Sequence, residues 1–198
     1  MQRYLLLIIG SFVTVVLDQI TKVWAVGALS LPNGVLPDTV FQIRTRLIVV
    51  FESWWNFRLT GNRGAAWGIF GGIDDSLRVP FFFVISMIAI IAIIYIYRSS
   101  QGQKILQWAL TLILGGAIGN LIDRVHIGYV VDFIDWHYKN HHWPTFNVAD
   151  IAISVGVGLF ILDAIVNREV SDEDDANDAG DEIEPNESTT SGDAQENT

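Results

Sequence analysis

Four long apolar blocks, a mean hydropathy of +0.36 and an acidic C-terminal end define the fold class. They predict an all-α membrane protein with four transmembrane helices, a small β-sheet in one loop and a disordered acidic tail. Of the 198 residues, 51% are hydrophobic, and they are gathered in blocks, as in membrane proteins. The net charge of −10 is a property of one end: residues 169–198 hold twelve Asp and Glu and no Lys or Arg, which leaves the first 168 residues at +2. The chain therefore divides into a membrane domain, 1–168, and a tail, 169–198, too poor in apolar residues to fold alone. There are no cysteines, which excludes disulfides, thiolate metal sites and cysteine nucleophiles.

The first block, about Tyr4 to Val26, is too long for the apolar region of a secretory leader. It runs into Asp18-Gln19-Ile20-Thr21-Lys22 rather than a small-residue cleavage site, so it reads as a retained span. The second, about Val79 to Tyr97, is nearly unbroken and ends at Arg98. The third, about Ile105 to Ile122, carries Gly115 and Gly119 at a small-xxx-small spacing that suits close helix packing. The fourth, about Val148 to Val166, ends at Arg168. Each is near the ~20 residues that a helix needs to cross hydrocarbon.

An even number of spans puts both termini on one side. The turn from Ser99 to Lys104 is short, so the loops 27–78 and 123–146 share the other side. Counting basic residues favours the loops as the cytoplasmic side, with eight Lys and Arg there against four on the terminus side. The first loop is long enough to weaken that count. Within it, Val40-Phe41-Gln42-Ile43-Arg44, Leu47-Ile48-Val49-Val50-Phe51 and Trp54-Trp55-Asn56-Phe57-Arg58-Leu59 are rich in β-branched and aromatic residues, and predict short strands at the membrane surface. Trp54, Trp55, Trp67 and Trp143 suit an interfacial aromatic belt.

The candidate chemistry rests on carboxylates in a chain that otherwise avoids charge. Asp150 opens the fourth span, where a carboxylate costs about 2.5–3.5 kcal/mol on insertion scales, and an ionisable group at such a position is a functional candidate by default. Asp132 lies one short loop away. Two adjacent carboxyl groups resist double ionisation, so one keeps a proton and they divide acid and base roles. Asp135, three residues beyond Asp132, fits the same argument, and the residue pattern does not rank the two. Asn120 and Arg124 are i and i+4 on one face of the third span. They either orient the carboxylates or, respectively, bridge helices and reach the headgroups. Asp18 and Lys22, also i and i+4, can neutralise each other as a structural pair. Asp163 reads as a solvated helix-end residue. Gly64, in Asn62-Arg63-Gly64-Ala65-Ala66-Trp67-Gly68, suits a left-handed backbone or a close backbone approach. His126, His137, His141 and His142 invite zinc, but there is no His-Glu-x-x-His and the segment is polar and aromatic, so no metal is expected.

Three functions fit these features: an aspartic peptidase, a proton-coupled transporter or channel, and a non-catalytic assembly factor. Four spans without inverted repeats or paired broken helices are few for transport.

Five motifs, in order over about residues 5–167, resemble the bacterial lipoprotein signal peptidase (signal peptidase II) family. They are Leu17-Asp18-Gln19-Ile20-Thr21-Lys22, Asn62-Arg63-Gly64-Ala65-Ala66-Trp67, Gly115 to Arg124, Gly128-Tyr129-Val130-Val131-Asp132-Phe133 and Phe146-Asn147-Val148-Ala149-Asp150. The resemblance implies an aspartic endopeptidase of the bacterial inner membrane that removes the signal peptide just before a diacylglyceryl-modified cysteine. It implies Asp132 and Asp150, not Asp135, as the catalytic dyad. It places Asn62, Asn120, Arg124 and Asn147 at the substrate, with Asp18, Lys22 and Gly64 in support. It also implies cytoplasmic termini and a site near the extracytoplasmic face, with the small sheet as a cradle. The chain departs from the family at Trp67 and Gly68, where Phe and Ser are usual, and the larger ring would narrow the substrate groove. The expected partners are prolipoprotein substrates and membrane lipid. No cofactor and no nucleic acid is expected, and the chain should act as a monomer.

Overall fold

The computed structural model describes residues 4–30, 46–64 and 75–181. It divides into two compact units, Met1–Asp163 and Ala164–Thr198, and the fold and site below belong to the first. The element order is α1 (Leu5–Leu29), β1 (Ile48–Phe51), β2 (Trp55–Asn62), α2 (Asp75–Ser99), α3 (Lys104–Ile127), β3 (Val130–Tyr138), β4 (His141–His142) and α4 (Val148–Asp181).

All four helices contain a stretch long and apolar enough to cross a membrane: Leu5–Leu29, Val79–Ser99, Lys104–Ile127 and Val148–Val166. Their positions agree with the four predicted spans. Much of the apolar surface points outward, as at Ile88 and Ile91 of α2, which is what a lipid environment requires of a chain this hydrophobic. The α4 backbone stays helical past Arg168 to Asp181. A helix already nucleated by its span propagates by one hydrogen bond per added residue, without needing buried surface. Tail residues 182–198 lie outside the described residues.

The strands form one antiparallel sheet in the order β1-β2-β3-β4. Two strands come from the first loop, as the β-branched runs predict; the stretch Val40–Arg44 lies outside the described residues. The third strand, β3, comes from the segment between α3 and α4 and was not among the predicted strands. Residues 130–135 are all buried, so the polar–apolar alternation that marks a half-exposed strand is missing there. The chain enters β3 through Gly128, whose φ of +79° closes α3 with an N–H to the Arg124 carbonyl (3.1 Å). Only a residue without Cβ takes that left-handed conformation at little cost.

Apolar packing falls into two clusters. Leu59, Val131, Phe133 and Ile134 of the sheet pack on Ala25 and Leu29 at the C-terminal end of α1. Leu7, Ile93, Tyr97, Leu110 and Leu114 join α1, α2 and α3 at the other end. Between these clusters the helices approach through glycine. A Cβ on Gly115 would lie 2.5 Å from Thr14 Cβ, and one on Gly119 would lie 2.6 Å from Asp18 Oδ2. The small-residue spacing is thus a packing device, as its pattern suggests.

Candidate active site

Asp132 sits on β3 and Asp150 in the first turn of α4, and Asn147 links them. The Asn147 side-chain amide donates to Asp132 Oδ1 (2.6 Å), and its backbone N–H donates to Asp150 Oδ2 (3.2 Å). In return, the Asp150 backbone N–H donates to Asn147 Oδ1 (3.0 Å). This is a reciprocal helix cap, with Asn147 as the cap and Asp150 as the third helical residue. One local motif therefore starts α4 and holds a carboxylate against the strand. Asn120 completes the frame by donating from Nδ2 to Asp150 Oδ1 (2.8 Å) and accepting from Asn147 Nδ2 (3.2 Å).

The supporting layer is ionic and saturated. Lys22 Nζ donates to Asp18 Oδ2 (2.8 Å), Asp123 Oδ2 (2.9 Å) and Asn120 Oδ1 (3.0 Å), so all three ammonium protons are used. Each of the two carboxylates also holds the backbone one residue ahead of an aspartate of the pair. Asp123 Oδ2 accepts the Val131 N–H (3.0 Å), and Asp18 Oδ1 accepts the Ala149 N–H (3.0 Å). Gln19 Nε2 ties both carboxylates together, at 3.1 Å from Asp18 Oδ2 and 3.0 Å from Asp123 Oδ1. A shift of Lys22 is thus transmitted to both arms of the site. The expected pair Asp18–Lys22 is present and is one edge of this larger cluster. Asp123 and Gln19 had no assigned role from the residue pattern. Their signal was available: Asn120, Asp123 and Arg124 share one face of α3, and an Asp on that face needs a partner.

Asn62 lies at the end of β2 opposite Val130, and its side chain hydrogen-bonds Asp132. Its Oδ1 also accepts the Gly64 N–H (3.0 Å). An extra residue in β2 between Phe57 and Thr60 shifts the register and sets Thr60 opposite Asp132. Such bulges re-aim side chains beside functional sites. Gly64 contributes its backbone: its carbonyl accepts from Arg124 NH2 (3.3 Å), and it is not among the left-handed glycines, which are Gly102 and Gly128 among the described residues. Arg124 lies 4.7 Å from the Phe82 ring centre, so it turns to a cation–π contact and a loop carbonyl rather than to headgroups. Trp67 and Gly68 lie outside the described residues.

The Asp132 carboxyl is pushed up to about 8, first by burial and then by the nearby charge of Asp150; hydrogen bonds from Asn147 and Asn62 and the charge of Lys22 oppose the shift. Asp135, which the residue pattern could not separate from Asp132, occupies the opposite face of β3. It is fully buried there, against Arg58 NH2 (3.4 Å) and His142 Nδ1 (2.9 Å). The four histidines do not converge: His137 and His142 come together beside Asp135, without His126 and His141. Asp163 is buried with an interaction partner, which corrects its reading as a solvated helix end; the helix continues well past it.

A buried carboxylate, Asp132, and a half-buried one, Asp150, on separate elements, bridged by amide donors and braced by a closed ion cluster, are an arrangement for acid–base chemistry. The profile of the signal peptidase II family matches residues 10–166. The lipoprotein signal peptidase of Syntrophotalea carbinolica is 42% identical over 162 residues, 81% of this chain and 91% of the relative. That of Clostridium tetani is 41% identical over 150 residues, 75% and 85% of the two chains. A bacterial membrane enzyme solved by the in meso method at 2.3 Å superposes with a TM-score of 0.66 at 33% identity, covering 82% of this chain and 88% of its own. The chain belongs to the signal peptidase II family and is a multi-pass membrane peptidase.

Proposed function

We propose that Asp132 and Asp150 are the acid–base pair with which this peptidase removes the signal peptide from diacylglyceryl-modified prolipoproteins, cutting just before the lipidated cysteine. The observation that carries the assignment is Asn147, which hydrogen-bonds both carboxylates and leaves Asp135 on the other face of the strand. Burial and the neighbouring charge hold the proton on Asp132 below about pH 8, so Asp132 is the acid. Asp150 takes hydrogen bonds on both of its oxygens, as an ionised base does.

A water between them gives a proton to Asp150 and attacks the scissile carbonyl, while Asp132 protonates the carbonyl oxygen. Collapse of the tetrahedral intermediate returns a proton to Asp132, and the proton on Asp150 passes to the leaving amine. Asn62, Asn120 and Asn147 are the polar groups that can hold the substrate backbone or the developing oxyanion, and a donor of that kind is worth about 2.7–4 kcal/mol. Arg124 fixes the Gly64 turn beside the site. The lipid chains would lie against the apolar helices at about 0.8 kcal/mol per buried CH₂.

The termini and the acidic tail are cytoplasmic in this reading, and the sheet and site are extracytoplasmic. The opposing charge count loses weight because Lys22, Arg58 and Arg124 are engaged inside the fold. In this reading the chain acts as a monomer, without cofactor or nucleic acid. The chain has no native cysteine, so Ser99→Cys and Lys139→Cys should be labelled by an impermeant thiol reagent from opposite sides of the membrane.

The deciding assay incubates the purified protein with a lipidated precursor and follows the shortened product by mass. Wild type should cleave, and Asp132→Asn and Asp150→Asn should not, while both remain folded in the membrane. Cleavage at the wild-type rate by either variant defeats the assignment.

A further inference from the structure

On the face of β3 away from the dyad, Asp135, His137 and His142 bring one ligand atom each to within 4.8 Å of one another. We propose that they form a binding site for a divalent transition ion of the zinc class, separate from the peptidase chemistry, which clamps β4 onto β3.

The first support is Asp135. It is fully buried, and its two oxygens differ: Oδ1 meets His142 Nδ1 (2.9 Å) and Arg58 NH2 (3.4 Å), whereas Oδ2 is buried with no hydrogen-bond partner. A buried carboxylate oxygen without a partner is costly, and a cation is the group that satisfies it. Arg58 then holds the non-ligating oxygen, the outer-shell contact usual for a ligating carboxylate.

The second support is His137. Its Nε2 faces the Glu52 carbonyl at 3.3 Å, a partner that can only accept, so the ring proton belongs on Nε2. Nδ1 therefore carries the lone pair, opposed only by a long contact of 3.4 Å from the Asn56 amide. A histidine whose far nitrogen donates to a backbone carbonyl is set up as a metal ligand. The His142 ring stacks on it, with centroids 5.0 Å apart and planes at 20°.

Size allows closure. Tetrahedral zinc with ligand bonds of about 2.0–2.1 Å sets its ligand atoms about 3.4 Å apart, so the widest gap must close by about 1.4 Å. The His142 side chain is 40% exposed and can rotate that far. Two imidazoles and one carboxylate leave a fourth position for water, and nitrogen with oxygen in this ratio suits zinc rather than magnesium or calcium. A cavity of ≈ 440 Å³ lined by both rings, Trp54, Trp136 and Trp143 opens onto the site. Without an ion, the hydrogen bond between His142 and Asp135 Oδ1 remains, and Oδ2 stays without a partner, as does the neighbouring Arg58 Nε.

The test uses the full chain, purified in detergent without a polyhistidine tag and stripped with chelator. Zn²⁺ titrated calorimetrically should bind one ion per chain and raise the melting temperature, and Co²⁺ should show the visible bands of a tetrahedral site. His137→Ala and His142→Ala should each weaken binding by roughly a hundred-fold. His142→Gln, which can keep a hydrogen bond to Asp135, should do the same, separating lost ligation from lost folding. The double variant His126→Ala/His141→Ala should bind as wild type, and chelation should leave prolipoprotein cleavage unchanged. The absence of saturable binding, unaltered affinity in His137→Ala or His142→Gln, or loss of binding in the His126/His141 variant overturns the proposal.

Discussion

The same two helices, α1 and α3, pack in opposite ways at their two ends. At one end Leu7, Leu110 and Leu114 meet Ile93 and Tyr97 in an apolar cluster. At the other, Lys22 of α1 closes on Asp123 and Asn120 of α3 with every ammonium proton engaged, and Gly119 lets Asp18 come close. Within a lipid-facing bundle the apolar end gains mainly van der Waals contact, because lipid tails are as apolar as leucine. The ionic end makes directional bonds, and two of them end on the residues just before Asp132 and Asp150. The apolar end therefore holds the bundle together, and the ionic end sets the geometry of the chemistry.

Substitutions should separate those two roles. The largest effect on cleavage is expected from the dyad itself: Asp132→Asn or Asp150→Asn should slow precursor processing by at least about 10²–10⁴-fold, the range of acid–base catalysis, with the helical circular dichroism kept. Lys22→Met comes next, because it leaves Asp18 and Asp123 buried without their cation, at about 3–5 kcal/mol. It should lower both kcat and the melting temperature. The double variant Lys22→Met/Asp123→Asn should lose less stability than the sum of the single losses, and strict additivity would mean that the ion pair is not coupled.

Raising the pH acts on the same end without a mutation. Above about pH 8 Asp132 loses its proton and the acid of the pair disappears, so kcat/KM should fall about tenfold per pH unit on the alkaline side. Stability follows the same sign. Between the unfolded value of 3.8 and about 8 the native state holds a proton that the unfolded chain has lost, so stability erodes as pH rises across that window. A flat rate profile from pH 7 to 10 would contradict the assignment of Asp132 as the acid.

Gly119→Ala should act more mildly, since its Cβ presses on the Asp18 carboxylate at 2.6 Å; overpacking of this kind costs about 1–3 kcal/mol, read as lower kcat at nearly constant KM. The smallest effect on chemistry belongs to Leu110→Ala in the apolar cluster. It should cost about 2–5 kcal/mol of stability and leave kcat per folded molecule unchanged. If Leu110→Ala slowed catalysis as much as Gly119→Ala, the division between the two ends would fail.

The two ends were also unequally legible in the sequence. Long apolar runs report spans directly, so all four helices were readable. The costly carboxylate Asp150 at the edge of a span announces a site for the same reason, whereas Asn120 fits either a site or helix packing, and Asp18 with Lys22 reads as a structural pair until the family resemblance sets them in support. What the sequence could not supply was partnership. Periodicity places Asp123 on a face of α3 but says nothing of the Val131 N–H that it holds across the fold. Asp132 and Asp135 are equivalent by residue pattern; the family motif singles out Asp132, and the physical difference is that they occupy opposite faces of β3. That strand escaped notice because its first six residues are buried on both faces.

The reciprocal cap at Asn147 also implies an order of events during biogenesis. Chains emerge from the amino end, and Asp18, Lys22, Asn120 and Asp123 all belong to the first three helices. Lys22 can engage both carboxylates and the Asn120 amide before α4 exists. The last helix then meets a preformed socket, in which Asp18 receives the Ala149 N–H and Asn120 receives Asp150. In the proposed mechanism the carboxylate that activates water is thus the final piece delivered, and a nascent chain lacking α4 has no dyad.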